Sequence, residues 1–293
     1  MSVATDNPAR SAALPKTRSG SRRRAGKAEK GLGPSPGRRL VNRLGLQIAS
    51  IVVFLGIWQL VGAHINPILL ATPSRVWSAF VDLIRSGTLG PAFLRAMEVL
   101  GTGFGIAAVV GIVIGVLMGR SEIVRSLLNP YVSFFQATPL IALTPLVVIW
   151  TGIGFQSEVV ITFLLAVWSV IINTEEGVRN TPSTLLDMAR VYRISELSVI
   201  RNVAMPNAIP YIFAGLRIAL AKALIGVIIG EMDISLKGLG GLIQDSGDAF
   251  QTAPLLAAII SSSLVGVVGT VILEILRRRI APWSTGSDTH GRV

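Results

Sequence analysis

The chain has 293 residues, 51% of them hydrophobic and only 15% charged, with a mean hydropathy of +0.63. A soluble domain of this length needs more charged surface to stay dispersed, so composition alone places the chain among membrane proteins. The lack of cysteine excludes disulfides and thiolate metal sites, and His64 and His290, far apart in apparent loops, leave little for any other metal site. The net charge of +11 suggests nucleic acid only until its distribution is read. Residues 1–43 hold eleven Lys/Arg against Asp6 and Glu29, and the rest is nearly balanced. With no basic groove or aromatic platform, the pattern argues against nucleic-acid binding and for a cytoplasmic tail facing anionic headgroups.

Residues 1–40, rich in Ser, Gly, Pro, Arg and Lys, have too little apolar surface to offset chain entropy and are expected to be disordered. The apolar run Leu44 to Gly62 is longer than a signal-peptide core and reads as a retained first span. A spanning helix needs about 20 mostly apolar residues. Six stretches qualify, at roughly 44–62, 96–118, 128–151, 158–173, 208–231 and 254–276. Between the first two, Val76, Phe80, Leu83 and Ile84 share one helical face, which predicts a short amphipathic helix at the interface. The basic tail and Arg120/Arg125, Arg179/Arg190/Arg193/Arg201 and Arg277–Arg279 all fall on one side of a six-span chain. The Lys/Arg rule then puts both termini in the cytoplasm. The expectation is an all-α membrane protein with a transmembrane body at 41–282 and a second cytoplasmic tail at 283–293.

Two spans have internal texture. In the second, Gly103, Ala107, Gly111, Gly115 and Gly119 recur every four residues and form a smooth seam suited to close helix packing within the chain. In the third, Pro130, Pro139 and Pro145 remove amide donors and predict a kink or break. Irregular backbone at that depth needs cover from protein or a water-filled cavity. The segment containing Gln136, Thr138 and Pro139 is therefore either beside a transport path or at a structural kink. In the fifth span, Arg217 lies where it could snorkel, Glu231 sits at the outer end, and Lys222 is near the middle. Lys222 shares its face with Gly215, Ala219, Gly226 and Gly230. It either faces the path and favours an anionic solute, or is ion-paired with Glu98 or Glu274.

The connection from Asn173 to Pro206 reads as two short helices, one starting at Pro182–Ser183 and the other at Ser195–Glu196, laid out to dock a partner. Here the sequence resembles the permeases of binding-protein-dependent ABC importers. Their cytoplasmic loop reads Glu-Ala-Ala, three residues, Gly, nine residues, Ile, one residue, Leu-Pro. Asp187, Met188, Ala189, Arg193, Val203, Met205 and Pro206 stand at those spacings, flanked by Leu186 and Arg190, with Arg193 in place of the glycine. The blocks "LLATPSRVWSAF", "QATPLIALTP", "NTEEGVRNTP", "GLRIALAKALIGVIIGEM" and "GLGGLI" extend the likeness over roughly 68–280, towards permeases for nitrate, sulfonate and taurine. The resemblance implies a type I importer transmembrane domain in the bacterial inner membrane, paired with a second permease copy. It also implies that the loop docks on a cytoplasmic ATPase and that an extracytoplasmic binding protein delivers the solute. Gly215, Arg217 and Glu231 become structural residues of the family pattern.

No G-x-x-x-x-G-K-[ST] loop occurs, and "GTGFG" lies inside an apolar span, so Mg-ATP chemistry belongs to a partner and no cofactor is expected here. No catalytic set stands out, which predicts a transport subunit rather than an enzyme. A secondary transporter driven by an ion gradient is the alternative. It would call for paired acidic residues at mid-membrane and inverted repeats, neither of which is evident in the sequence.

Overall fold

The computed structural model describes residues 36–282, with side chains from Gly45 onward. Most of the expected N-terminal tail and all of the C-terminal one, His290 included, lie outside the described residues. The chain divides at Val52 into two units. The first contributes the start of helix α1 (Pro36–His64), which begins inside the segment expected to be disordered. The second, from Val53 onward, holds the remaining helices.

Five helical stretches are long and apolar enough to cross a membrane: Gly45–His64, Leu89–Arg120, Phe155–Arg179, Glu196–Ser235 and Thr252–Ile280. A sixth crossing is made by a broken pair, α4 (Glu122–Ala137) and the segment Leu140–Thr151 that contains α5 (Thr144–Thr151), bent by 93°. The expected third span is thus broken, and the fourth, α6 (Phe155–Arg179), is longer than the 158–173 stretch at both ends. The helix expected after Ser195 is not separate from the fifth span. α8 (Glu196–Val199) passes through one wide turn, Ile200–Ala204, into α9 (Met205–Gly230). No proline or glycine interrupts the path from Glu196 to Met205, so nothing stops the helix.

α6 is the centre of the bundle, and small residues set its packing. On one side lies α3 (Leu89–Arg120). A Cβ on Gly103, Gly111, Gly115 or Gly119 would stand 2.6–2.7 Å from the side chains of Thr162, Val170, Thr174 and Val178 respectively. The residue offset is the same at all four contacts, so the helices run parallel and in register along the whole seam. The expected role of the glycine face in packing within the chain is what is found. On the other side Gly215 meets Asn173, Gly226 meets Thr162 and Gly177 meets Tyr211, an antiparallel pairing of α6 with α9. Backbones this close maximise dispersion contacts, which drive association where lipid offers no hydrophobic gain.

The parallel register of α3 and α6 has a topological consequence. The chain leaves α3 at one end and must re-enter α6 at the other, so residues 121–154 traverse the full bundle. Arg125 reaches Glu175 near the end of α6, Phe135 stacks on Trp168 lower down, and Val147 packs with Ile161 near its start. The bent pair is therefore one crossing.

α2 (Pro73–Arg85) is the expected amphipathic helix, with Pro73 in its first turn. Val76 is buried with Ala71 and Ala257, whereas Ile84 faces outward. The connection between the fifth and sixth expected spans is itself mostly helical, through α10 (Gly238–Asp248), and leads into α11 (Thr252–Ile280).

Candidate functional site

The break in the third crossing follows from local chemistry. Pro130 is absorbed within α4 and Pro145 occupies the first turn of α5, where its missing N–H costs nothing. Only Pro139 coincides with the break. It forces Thr138 out of the helical region, to φ −79° and ψ 134°, and the chain re-forms as a tight turn over Leu140–Leu143. The Thr138 hydroxyl donates at 2.8 Å to the Phe134 carbonyl, which also accepts the Thr138 N–H at 3.0 Å.

A cavity of about 250 Å³ opens at this break. Gln136, Thr138 and Pro139 line it from the broken crossing, Leu165 and Trp168 from α6, and Lys222 from α9. Lys222, more than 80 residues further along the chain, is thus brought to the same cavity as Gln136, Thr138 and Pro139. Phe135 lies on the Trp168 ring, with centroids 4.7 Å apart and planes at 12°, and walls the cavity with an aromatic stack that sequence reading missed.

The carboxylate proposed from sequence as a partner of Lys222, Glu274, is engaged elsewhere. It accepts from Arg217 at 2.9 Å, and from Arg277 and Arg278 on its own helix. Arg217 and Lys222 are five residues apart on α9, about 140° around the helix, so one faces α11 when the other faces the cavity. Among the described residues neither Glu98 nor Glu274 pairs with Lys222.

The loop that resembles the ATPase-docking element is built on α7 (Ser183–Val191). Ile194 N–H donates to the Ala189 carbonyl and Arg193 N–H to that of Arg190, both at 3.0 Å. These bonds define a Schellman C-cap whose left-handed residue is Arg193, at φ 52°. The turn keeps the geometry glycine would give it, and arginine bears the Cβ strain. Ala189 is buried and Val203, Met205 and Pro206 are half-buried, while Asp187 and Arg190 pair on the surface at 3.1 Å. Leu186 lines a small recess of about 50 Å³ with Ala189, Ile194 and Val199. Met188, Val191, Tyr192 and Leu197 are 56–80% exposed, an apolar face without cover among the described residues. Glu196 pairs with Arg120 and anchors the loop to the end of α3.

At the opposite end lie buried charges, of which sequence reading singled out Glu231 but neither Glu158 nor Arg95. Glu158 is completely buried and accepts from Arg95 at 3.1 Å, with Arg95 also over the Phe155 ring at 4.9 Å. Glu231, equally buried, accepts the Gly240 N–H at 2.8 Å and holds α10 against the end of α9. The signal available was a glutamate inside an apolar run, and its arginine was visible only once α3 and α6 were in register. Gly215 is the point where α9 touches Asn173 of α6.

A family model described as "Binding-protein-dependent transport system inner membrane component" matches residues 109–282, which include the loop, the broken crossing and Lys222. The chain belongs to this family of ABC transporter permeases. Relatives cover nearly all of the permease. The putative aliphatic sulfonates transport permease protein SsuC of Bacillus subtilis is 30% identical over 251 residues, covering 85% of this chain and 90% of its own. The nitrate import permease protein NrtB of Leptolyngbya laminosa is 29% identical over 260 residues, covering 86% and 92%. The fold is that of the inward-facing MetNI methionine ABC transporter, with TM-score 0.56 and 16% identity, covering 64% of the permease and 93% of the matched chain. The permease is accordingly a multi-pass protein of the bacterial inner membrane, as its apolar helices require.

Proposed function

We propose that this permease forms half of the path of an ATP-driven importer for a small anionic solute, with the cavity at the broken crossing as its polar waist. The observation that carries this reading is the convergence of Gln136, Thr138 and Lys222 on one cavity beside a proline break. A lone ammonium with amide and hydroxyl neighbours suits a sulfonate, nitrate or similar anion, and the named relatives act on anions of that kind. Two copies in the membrane close the path between them. The apolar face of Met188, Val191, Tyr192 and Leu197 docks on a cytoplasmic ATPase, which supplies Mg-ATP chemistry that this chain does not perform. Both termini then lie in the cytoplasm, and an extracytoplasmic binding protein delivers the solute at the Arg95 end. When the ATPases close, the loop moves with them. Its Arg120–Glu196 tie and its continuity with α9 carry the motion to Lys222.

Uptake of radiolabelled taurine, an alkanesulfonate and nitrate, measured with the cognate binding protein and ATPase, tests the reading. Lys222→Met is expected to lower uptake of the transported anion at least tenfold while ATPase co-purification persists, and Lys222→Arg to retain much of it. Unchanged uptake in Lys222→Met removes the lysine from the path. A tagged permease that never brings down an ATPase overturns the coupling.

A further inference from the structure

Among the described residues, the charge cluster where α9 meets α11 draws Arg217 of α9 and Arg278 of α11 to one carboxylate. Glu274 accepts from Arg217 at 2.9 Å and from Arg278 at 3.0 Å, and Arg277 joins it at 2.8 Å. Arg217 and Arg278 remain 53% and 67% exposed, at the end of an apolar crossing where charge is costly unless matched.

An apolar groove of about 690 Å³ starts from this cluster and runs between the same two helices. Leu220 and Ala221 line it one turn beyond Arg217, and Thr270 and Val271 one turn before Glu274. Its far end is marked by Ile229 and Ile259. On α9 the groove is about 14 Å long at the helical rise. That is close to half of the ~30 Å hydrocarbon core, or one leaflet.

We propose that the cluster and groove together bind one anionic phospholipid from the leaflet at the arginine end. Its phosphate sits on Arg217 and Arg278, and one acyl chain fills the α9–α11 groove. Guanidinium forks match phosphate oxygens, and two exposed arginines sharing one carboxylate beside a leaflet-length apolar slot complement that ligand at both ends. A free phosphate would use the arginines and leave the groove empty. A helix from a second copy would fill the groove and leave Arg217 and Arg278 sharing the one carboxylate. The inference does not depend on which solute is carried.

The test uses the full-length permease, purified with its co-purifying partners in detergent. Palmitoyl-oleoyl phosphatidylglycerol is compared with the matching phosphatidylcholine by native mass spectrometry and thermal unfolding. Phosphatidylglycerol is expected to be retained at least fivefold more strongly and to raise Tm. Arg217→Gln with Arg278→Gln should abolish that preference, and the Lys pair should keep most of it. Ser263→Phe, at an exposed position on the groove wall, should block retention with every arginine intact. It also keeps the test decisive should the glutamine pair unfold. Equal retention of both lipids, or retention unaffected by Ser263→Phe, overturns the proposal. So does stabilisation by inorganic phosphate to the same extent. A disulfide dimer of the Val267→Cys variant in native membranes would assign the groove to a second copy and overturn it as well.

Discussion

Replacing Gly115 by alanine puts a methyl group into the tightest part of the α3–α6 seam. The new Cβ would lie 2.6 Å from Thr174 Cβ and 2.7 Å from the Ile171 carbonyl oxygen. Carbon atoms pack at about 3.5–4.0 Å, so the helices must part locally by roughly 1 Å. The carbonyl belongs to the α6 backbone and cannot rotate aside as a long side chain would. Because the seam is in register over four glycines, a local parting also loosens contacts at Gly111 and Gly119. Overpacking of this kind costs about 1–3 kcal/mol. For a chain of this size each kcal/mol moves Tm by about 2–4 °C, so a fall of roughly 2–12 °C is expected. Gly101 and Gly105, on the same helix with nothing within 4 Å of an added methyl, are the controls. Alanine there should leave Tm unchanged or raise it, by up to about 1 kcal/mol of helix propensity. Thermal unfolding of the three purified variants in one detergent decides the matter. Equal Tm for the Gly115 and Gly105 variants would refute the close seam. Adding Thr174→Gly should rescue the Gly115 variant only in part, since the carbonyl contact remains.

Arg193→Gly should stabilise the permease by about 1 kcal/mol, because glycine adopts the φ of 52° without Cβ strain; a lower Tm would contradict the left-handed turn. Gly238→Ala should destabilise strongly, by about 2–4 kcal/mol in thermal unfolding. Its φ is 74°, and the added Cβ would overlap the Glu231 carboxylate that holds the Gly240 N–H. Glu158→Gln should cost about 1–3 kcal/mol by replacing the buried carboxylate that accepts from Arg95 with a neutral amide. Adding Arg95→Gln should recover part of that loss, and strict additivity in the double-mutant cycle would show that the two residues do not interact.

The membrane class, the number of crossings, the small-residue face of α3 and the place of the loop were all legible in the order of residues. These depend on properties local to the chain: length of apolar runs, a four-residue period, and a spacing of motif residues. Proline showed that the third crossing would be disturbed but not where, since Pro130, Pro139 and Pro145 all remove a donor. The structure singled out Pro139, because Pro130 is accommodated inside α4 and Pro145 falls at a helix start. Helix ends were misread at 158–173 and after Ser195 because polar residues continue a helix as readily as they end one.

Partnership across helices came from the packing of the bundle and from nothing local. Which carboxylate meets which base depends on the register of neighbouring helices. That register is set by where small residues let backbones touch, as at Gly103 with Thr162 and Gly226 with the same Thr162. Hence Glu274 went to Arg217 rather than to Lys222, and Arg95 met Glu158 across 63 residues. Hence also Lys222 and the segment of Gln136, Thr138 and Pro139, two separate suspicions in the sequence, share one cavity in the fold.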